Sequence, residues 1–326
     1  MSKPIRVAIN GFGRIGRAFF KLAKNNKDIE VVAINDLGSK ESMEYLLKYD
    51  TVYGMSDFNL DGVEYISEKE APNLPWKRME IDVVVESTGL FTSTEKAQAH
   101  IEAGAKRVVI TAPIKDDTSP TVLVSLNEEK LKTCQISSNA SCTTNAGSPL
   151  MAILDETLGI EKALLNTVHA YTASQSLVDG PSKKDVREGR AAAMNIVPST
   201  TGAAISVTKA MPNLEGLFDG ISIRVPVVCG SLVDVTFISK KETTIEEVNK
   251  ILEKAAKEDR WKGIFTITRE DLVSSDIVGN THASIADLTF TKVVGGNLVK
   301  VLAWYDNEMG YTHTLVNHVI AAGRLV

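Results

Sequence analysis

The stretch Ser138-Asn139-Ala140-Ser141-Cys142-Thr143-Thr144-Asn145 surrounds one cysteine with hydroxyls and amides. A short apolar run over 134–136 enters it, and a helix-like segment over 150–158 follows Ser148-Pro149. That order predicts a strand-to-helix turn at Cys142. A thiol at such a turn meets unsatisfied backbone N–H groups and the positive end of the helix dipole, which favour an anion and lower its pKa. Most cysteines are small buried hydrophobes; the polar neighbours of Cys142 make an inert apolar pocket a poor fit, and the chemistry indicated is that of a nucleophile.

A nucleophilic thiol needs a base. The chain has five histidines, His100, His169, His282, His313 and His318. His169 ends the apolar run 164–168 and opens onto a long polar connection over 172–199, so it is the best placed. His100 falls in a polar helix, and His313 and His318 fall on a terminal helix where surface exposure is expected. Two features could hold phosphate. Ser199-Thr200-Thr201-Gly202 precedes a helical segment whose first N–H groups are free donors. Arg224 is a cation inside an apolar strand, where an uncompensated charge is costly; it meets either an anion or a structural ion-pair partner.

The elements that must carry these groups fall into two textures. Residues 6–10 read as a buried strand, followed by Gly11-Phe12-Gly13-Arg14-Ile15-Gly16, a helix to about residue 23, a strand over 31–34, and then Asn35-Asp36. Strand, glycine turn, helix, strand and acid in that order are the arrangement of a dinucleotide site. Gly11 allows the tight turn, Gly13 lets a pyrophosphate approach the backbone, and Gly16 lets helix pack on strand. Asp36 accepts from a ribose and repels a 2′-phosphate, favouring NAD over NADP. Alternation continues: helix 41–48, a polar stretch 58–76 read as hairpins, strand 83–86, helix 94–103, and strands 107–111, 122–124 and 135–137. A mostly parallel sheet with helices on both faces follows. Thr88 and Thr111 lie in loops after strands, positions that suit either cofactor contact or a purely structural turn. Beyond about residue 158, longer β-like runs (164–171, 221–227, 232–239, 264–268, 284–291 and 298–304) are interrupted by a clear helix over 244–257 with Thr244 as N-cap. The 172–199 connection is too long for a routine loop, and long ordered loops are usually functional. A final helix, 308–323, could return to the first domain.

Composition bounds the rest. At 326 residues the chain exceeds one comfortable core, so two domains are expected. A net charge of -5 offers no basic stripe for nucleic acid. Three cysteines without a CxxC or a spaced histidine argue against a disulfide framework or a metal site and for a reducing cytoplasm. The first ten residues lack the order of a signal peptide, and the longest uncharged run, 133–154, is too rich in Ser, Thr and Asn to span a membrane.

Together the motifs Asn10-Gly11-Phe12-Gly13-Arg14-Ile15-Gly16, Ser138 to Asn145, Ser199-Thr200-Thr201-Gly202-Ala203-Ala204, Arg224-Val225-Pro226 and Trp304-Tyr305-Asp306-Asn307-Glu308-Met309-Gly310-Tyr311 closely resemble the phosphorylating glyceraldehyde-3-phosphate dehydrogenases along essentially the whole chain. The resemblance implies an α/β fold: a Rossmann-type doubly wound parallel sheet (1–141 and 305–326, binding NAD) and an α+β catalytic domain with a mostly antiparallel sheet (142–304). It implies oxidation of glyceraldehyde 3-phosphate with capture of inorganic phosphate. Cys142 would form a hemithioacetal and then a thioester, with His169 as base and as the group that lowers the thiol pKa. Thr172 and Arg224 would hold the substrate's phosphate. Ser141, Thr143, Thr201 and Gly202 would hold the attacking phosphate, assisted by Arg187. Asn307 would hold the nicotinamide carboxamide beside Tyr311. The 172–199 segment resembles the family's S-shaped loop, which reaches a neighbouring subunit in a homotetramer. An erythrose-4-phosphate dehydrogenase of the same fold is the alternative. Ala146 stands where many members carry a second cysteine, and Val228-Cys229-Gly230 departs from a more polar pattern, which puts packing near the phosphate site in question. Leu37 and Gly180-Pro181 resemble the NAD-using members.

Overall fold

The computed structural model describes residues 3–114, 116–182 and 185–326. Positions 183 and 184 of the expected S-loop, and the first two residues of the N-terminal stretch, lie outside them. Packing divides the chain into two units, Met1–Ser141 with Thr312–Val326, and Cys142–Tyr311.

The first unit runs β1 (Ile5–Asn10), α1 (Arg14–Lys24), β2 (Ile29–Asn35), α2 (Lys40–Lys48), a small hairpin of β3 (Tyr49–Asp50) and β4 (Gly54–Met55), β5 (Glu64–Ile66), β6 (Val83–Glu86), α3 (Thr94–Glu102), β7 (Arg107–Ile110) and β8 (Ile136–Ser138). Six strands form one sheet in the order β5-β2-β1-β6-β7-β8, with each neighbouring pair parallel. Alternate residues of β1 feed two apolar layers: Val7 and Ile9 pack with Phe19, Phe20 and Val31, whereas Ala8 packs with Trp76, Val84 and Val108. A parallel sheet buried on both faces explains why these strands read as unbroken apolar runs.

Two local expectations fail here. The stretch 58–76 holds no hairpin. Leu60 and Val63 are buried in the first layer and lay the chain beside β2, so β5 joins as a parallel edge strand. Residues 122–124 make no ladder beyond a bridge between Thr121 and Ser138. The Asn127 side chain accepts from Leu123 N at 2.8 Å and donates to Thr121 O at 2.9 Å, curling the segment into a turn.

The second unit runs α4 (Cys142–Leu158), β9 (Ile160–Ala170), β10 (Val197–Thr200), α5 (Ala203–Ala210), β11 (Phe218–Val225), β12 (Ser231–Ser239), α6 (Ile245–Ala255), β13 (Phe265–Thr268), β14 (Ser284–Val294) and β15 (Leu298–Tyr305). Its seven-stranded sheet has the order β10-β11-β9-β12-β15-β14-β13. The pairs β9/β11 and β13/β14 are parallel, and the other four are antiparallel. Both sheets match the expected fold class. The sequence places the start of α4 after Pro149, but the helix begins at Cys142 and runs through the proline. A mid-helix proline costs about 3 kcal/mol, and almost every residue from Thr143 to Leu154 is buried, so packing overrides it.

The last helix, α7 (Met309–Gly323), puts Leu315, Val316, Val319 and Ala322 into the first unit's core beside Val7 and Ile9. His318 is therefore not exposed as its polarity suggested. It is fully buried, with Nε2 at 2.9 Å from Ser137 Oγ and Nδ1 at 3.1 Å from Asn139 Oδ1.

Candidate active site

Cys142 is the first residue of α4, and the chain reaches it through Ala140 in the left-handed region at φ 55°. A non-glycine residue there costs about 1–2 kcal/mol. Ser138 Oγ, which accepts from Ala140 N at 2.9 Å, holds the turn. The turn thus delivers a half-buried thiol to the end of a helix. His169, at the end of β9, is buried and presents Nε2 to Cys142 Sγ at 3.3 Å. Its ring packs edge-on against Tyr305, with centroids 5.9 Å apart. Tyr305 Oη shares hydrogen bonds with Thr143 Oγ1 at 2.9 Å and Thr167 Oγ1 at 2.8 Å, which ties α4, β9 and β15 together beneath the pair.

Arg224 lies beside His169 in register across β9 and β11. Its Nη1 is 2.6 Å from His169 Nδ1 and 3.2 Å from Ala170 O. Its Nε is buried with no partner, and among the described residues no carboxylate pairs with it. Of the two readings of this arginine, the internal ion pair is not found among the described residues.

These neighbours set the protonation of the pair. Burial, followed by the adjacent Arg224 charge, holds the His169 imidazole down to about 3. Burial also pushes the Cys142 thiol up, against the pull of Arg224 and of the Thr143 N–H and hydroxyl. Burial and the Arg224 charge both work against a charged ring, whereas Arg224 and the Thr143 donors work toward a charged sulfur.

The remaining candidates separate. Thr143 and Cys142 share the first turn of α4, and Thr143 Oγ1 is committed to Tyr305. Ser141 immediately precedes them and is half-buried. Thr172 Oγ1 shares a hydrogen bond with Ser174 Oγ at 2.9 Å. Thr201 Oγ1 accepts from Ala203 N at 3.1 Å at the start of α5, and Gly202 is the N-cap with open space where a Cβ would stand. Arg187 is held by its neighbour Asp185, to which Nε and Nη2 donate at 2.7–3.2 Å. Asn307 Oδ1 accepts from Gly230 N at 3.1 Å and Ser231 Oγ at 3.0 Å. Ser231 Oγ in turn accepts from Ala170 N at 3.1 Å, linking Asn307 to the strand that carries His169. Tyr311 is buried. The unusual Val228-Cys229-Gly230 segment has a local use: buried Cys229 Sγ donates to Asp306 Oδ1 at 3.2 Å, and Gly230 supplies the N–H that holds Asn307.

In the first unit, Gly11, Gly13, Asp36, Thr88, Leu90 and Phe91 are among the residues lining a cleft of about 340 Å³ at the carboxyl ends of β1, β2 and β6. The glycines divide their work by contact. A Cβ on Gly11, which sits at φ 93°, would stand 2.7 Å from Thr88 N, and one on Gly16 only 2.2 Å from Gly11 O. One on Gly13 would meet nothing within 4 Å, so that face is open to a ligand. α1 begins at Arg14 with Gly13 as its N-cap and no side-chain cap bond, and the positive end of its dipole favours an anion. Asp36 Oδ2 accepts from Phe12 N at 2.6 Å and Oδ1 from Gly38 N at 2.8 Å. Phe12 is wholly buried, Ile15 packs against the core, and Arg14 is paired with Asp50 at 2.6 Å. Thr111 N donates to Glu86 O, and the residue is not among those lining the cleft. A dinucleotide fits these features.

Sequence reasoning missed a buried polar network bonded to two residues of this cleft, Asn10 and Thr88. Buried Glu86 accepts from Thr88 N at 2.8 Å and Asn10 Nδ2 at 2.6 Å, and lies 3.0 Å from Nε2 of fully buried His100. Trp76 Nε1 donates to His100 Nδ1 at 3.2 Å, which fixes the ring proton on Nε2. The signal was a carboxylate ending the apolar run of β6. Among the described residues no group of acidic, histidine or cysteine side chains is set to hold a metal, and no helix is long and apolar enough to cross a membrane.

Comparison with known proteins agrees with this division. Residues 5–94 match the family described as glyceraldehyde 3-phosphate dehydrogenase, NAD binding domain, and residues 141–307 match its C-terminal domain. The chain is 46% identical to a glyceraldehyde-3-phosphate dehydrogenase of Mycobacterium avium, over 98% of this chain and 99% of that one. It is 45% identical to that of Geobacillus stearothermophilus, over 96% of each chain. It is also 46% identical to glyceraldehyde-3-phosphate dehydrogenase 1 of Saccharomyces cerevisiae, over 96% of this chain and 97% of that one. With both halves matched in order, and the thiol–imidazole pair in the second and the glycine cleft in the first, the chain belongs to the glyceraldehyde-3-phosphate dehydrogenase family.

Proposed function

We propose that this protein oxidises D-glyceraldehyde 3-phosphate and captures inorganic phosphate, giving 1,3-bisphosphoglycerate and NADH. The observation that carries the reading is the 3.3 Å approach of Cys142 Sγ to His169 Nε2 beside an arginine that pairs with no carboxylate among the described residues. Cys142 Sγ adds to the aldehyde carbon as nucleophile, and its proton passes by way of His169 Nε2 to the aldehyde oxygen, forming a hemithioacetal. His169 Nε2 removes the hydroxyl proton as the C–H bond breaks, a contribution of about a hundredfold to ten-thousandfold. NAD, when bound, accepts the hydride. The carbon is left as a thioester on Cys142; phosphate attacks it, the C–S bond breaks, and the departing sulfur takes back the proton that His169 Nε2 holds, which resets both groups.

Arg224 and Thr172 hold the substrate's phosphate. Ser141, Thr143, Thr201 and Gly202 hold the attacking phosphate, with the positive dipole end of α5 supporting Thr201 and Gly202. Arg187 takes part only if it leaves Asp185. The dinucleotide is held by the Gly11 to Gly16 turn, Asp36 and Thr88, with Asp36 selecting NAD; Thr111, outside the cleft lining, takes part only from its loop. Asn307, its Oδ1 already engaged, turns its NH₂ to the nicotinamide carboxamide, and Tyr311 packs close by. The family names favour glyceraldehyde 3-phosphate over erythrose 4-phosphate.

A homotetramer in the cytoplasm is part of the same proposal. It is supported by an apolar groove of about 850 Å³ on the second unit, with exposed Leu164, Leu217 and Ile205 in its walls, the kind of patch that a subunit contact covers. The test is NADH formation from glyceraldehyde 3-phosphate at varied phosphate, with erythrose 4-phosphate alongside. Turnover that ignores phosphate, or prefers the four-carbon sugar, would reject the reading.

A further inference from the structure

Glu86 closes β6 with its carboxylate buried, and four donors converge on it. Oε1 accepts from Thr88 N at 2.8 Å and from Thr88 Oγ1, and Oε2 accepts from Asn10 Nδ2 at 2.6 Å and His100 Nε2 at 3.0 Å. The direction of each bond is imposed by the next member of the chain. The Trp76 indole only donates, so His100 Nδ1 accepts and Nε2 carries the ring proton. On the other side, Asn35 Oδ1 accepts from Glu68 N at 2.9 Å, so Asn35 Nδ2 faces Asn10 Oδ1 at 2.7 Å and the Asn10 NH₂ is turned to Glu86. Two runs of donors meet at one point, and only a group with acceptors alone fits there.

This run crosses the carboxyl ends of β2, β1 and β6 and reaches both sides of the cofactor cleft. Glu68 lines one side. The turn 87–91 lines the other. Thr88 is held to Glu86 by its N–H and its hydroxyl, Leu90 N donates to Thr88 Oγ1 at 3.1 Å, and the Phe91 ring lies 5.1 Å from that of His100. The turn has freedom to lose: Gly89 at its centre sits at φ 75° with nothing within 4 Å of a Cβ position, and Leu90 is exposed. Asp36, which takes the adenosine ribose in the proposed complex, lines the same cleft, so the turn faces the adenosine half. Glu86 and His100 are not in that lining; they act through Thr88.

We propose that Glu86 and His100 are positioning residues for the adenosine half of the dinucleotide, holding the 87–91 turn in its binding conformation before the ligand arrives. A turn that is already ordered loses little entropy on binding, and the difference is gained as affinity. The role lies in binding and leaves hydride transfer alone. It rests on the assignment of this cleft to the dinucleotide.

The test uses the full-length protein, with ADP-ribose as the probe of the adenosine half and folded sites counted by alkylating Cys142. Glu86→Gln sets an NH₂ against donors whichever way it faces. Kd for ADP-ribose and KM for NAD should both rise roughly tenfold or more, with kcat at saturating NAD within about twofold. His100→Gln keeps a donor for Glu86 and loses the ring, whereas His100→Phe keeps a ring against Phe91 and loses the donor. The Gln protein should bind ADP-ribose nearly as the parent does, and the Phe protein as weakly as Glu86→Gln. The reverse order would overturn the proposal in favour of ring packing. So would a smaller folded fraction with unchanged Kd per folded site, which is what a merely structural role gives. Hydrogen exchange needs no variant: the Thr88 amide should be protected in the cofactor-free protein, and exchange at the rate of an unbonded turn would overturn the proposal. Failure of the natural protein to bind ADP-ribose would instead reject the cleft assignment beneath it, so the two failures are distinct.

Discussion

Cys142 and His169 meet at 3.3 Å although 27 residues separate them, because α4 starts at the sulfur and β9 ends at the ring. Serine in place of this cysteine keeps the shape and loses the polarizable nucleophile. Cys142→Ser should lower NADH formation by roughly a thousandfold or more, while NAD binding, followed by quenching of protein fluorescence, stays within a few fold. Turnover near that of the parent would discard the nucleophile.

His169→Asn removes the base and leaves the thiol. The hydride step should slow by about a hundredfold to ten-thousandfold, measured as the NADH burst. The rate of Cys142 alkylation at pH 8 should change far less, because burial and the Arg224 charge oppose a positive ring beside the sulfur. Equal losses in both assays would contradict this account.

Gly13 and Gly16 make a matched pair. Gly16→Ala drives a methyl to 2.2 Å from Gly11 O and should cost about 1–3 kcal/mol of stability as well as NAD affinity. Gly13→Ala meets nothing within 4 Å, so it should unfold at the parent's temperature and bind NAD at least tenfold more weakly. Calorimetry with and without NAD separates them; an unstable Gly13→Ala would refute the open-face account.

Asp36→Ala removes the charge that repels a 2′-phosphate. The ratio of kcat/KM for NADP to that for NAD should rise by roughly tenfold or more. Absolute NAD activity should fall too, since Phe12 N and Gly38 N lose their acceptor. An unchanged ratio would move the selectivity elsewhere.

His169 and His318 are both depressed to about 3 by burial, from an ordinary value near 6.5. The unfolded chain therefore binds more protons than the native one between those values, and stability falls as pH drops from about 6.5 toward 3. Each ring contributes a slope of up to about 1.4 kcal/mol per pH unit. Urea unfolding at pH 7, 6 and 5 should show this loss, and His318→Asn should reduce the slope by about one proton's worth. A slope untouched by the replacement would argue against a neutral buried ring.

Sequence alone determined both sheets, the glycine turn, Asp36, and the pairing of Cys142 with His169 as candidates, because apolar periodicity and short motifs are local properties of the chain. It misjudged α4, since whether packing outweighs a proline depends on what covers the helix. It took His318 for a surface residue, because a helix that enters a core from several sides buries its polar positions as well. The buried Glu86–His100 contact and the approach of Arg224 to His169 were beyond its reach. Those depend on distances of about 3 Å between separate strands and helices, and only the tertiary structure decides such distances.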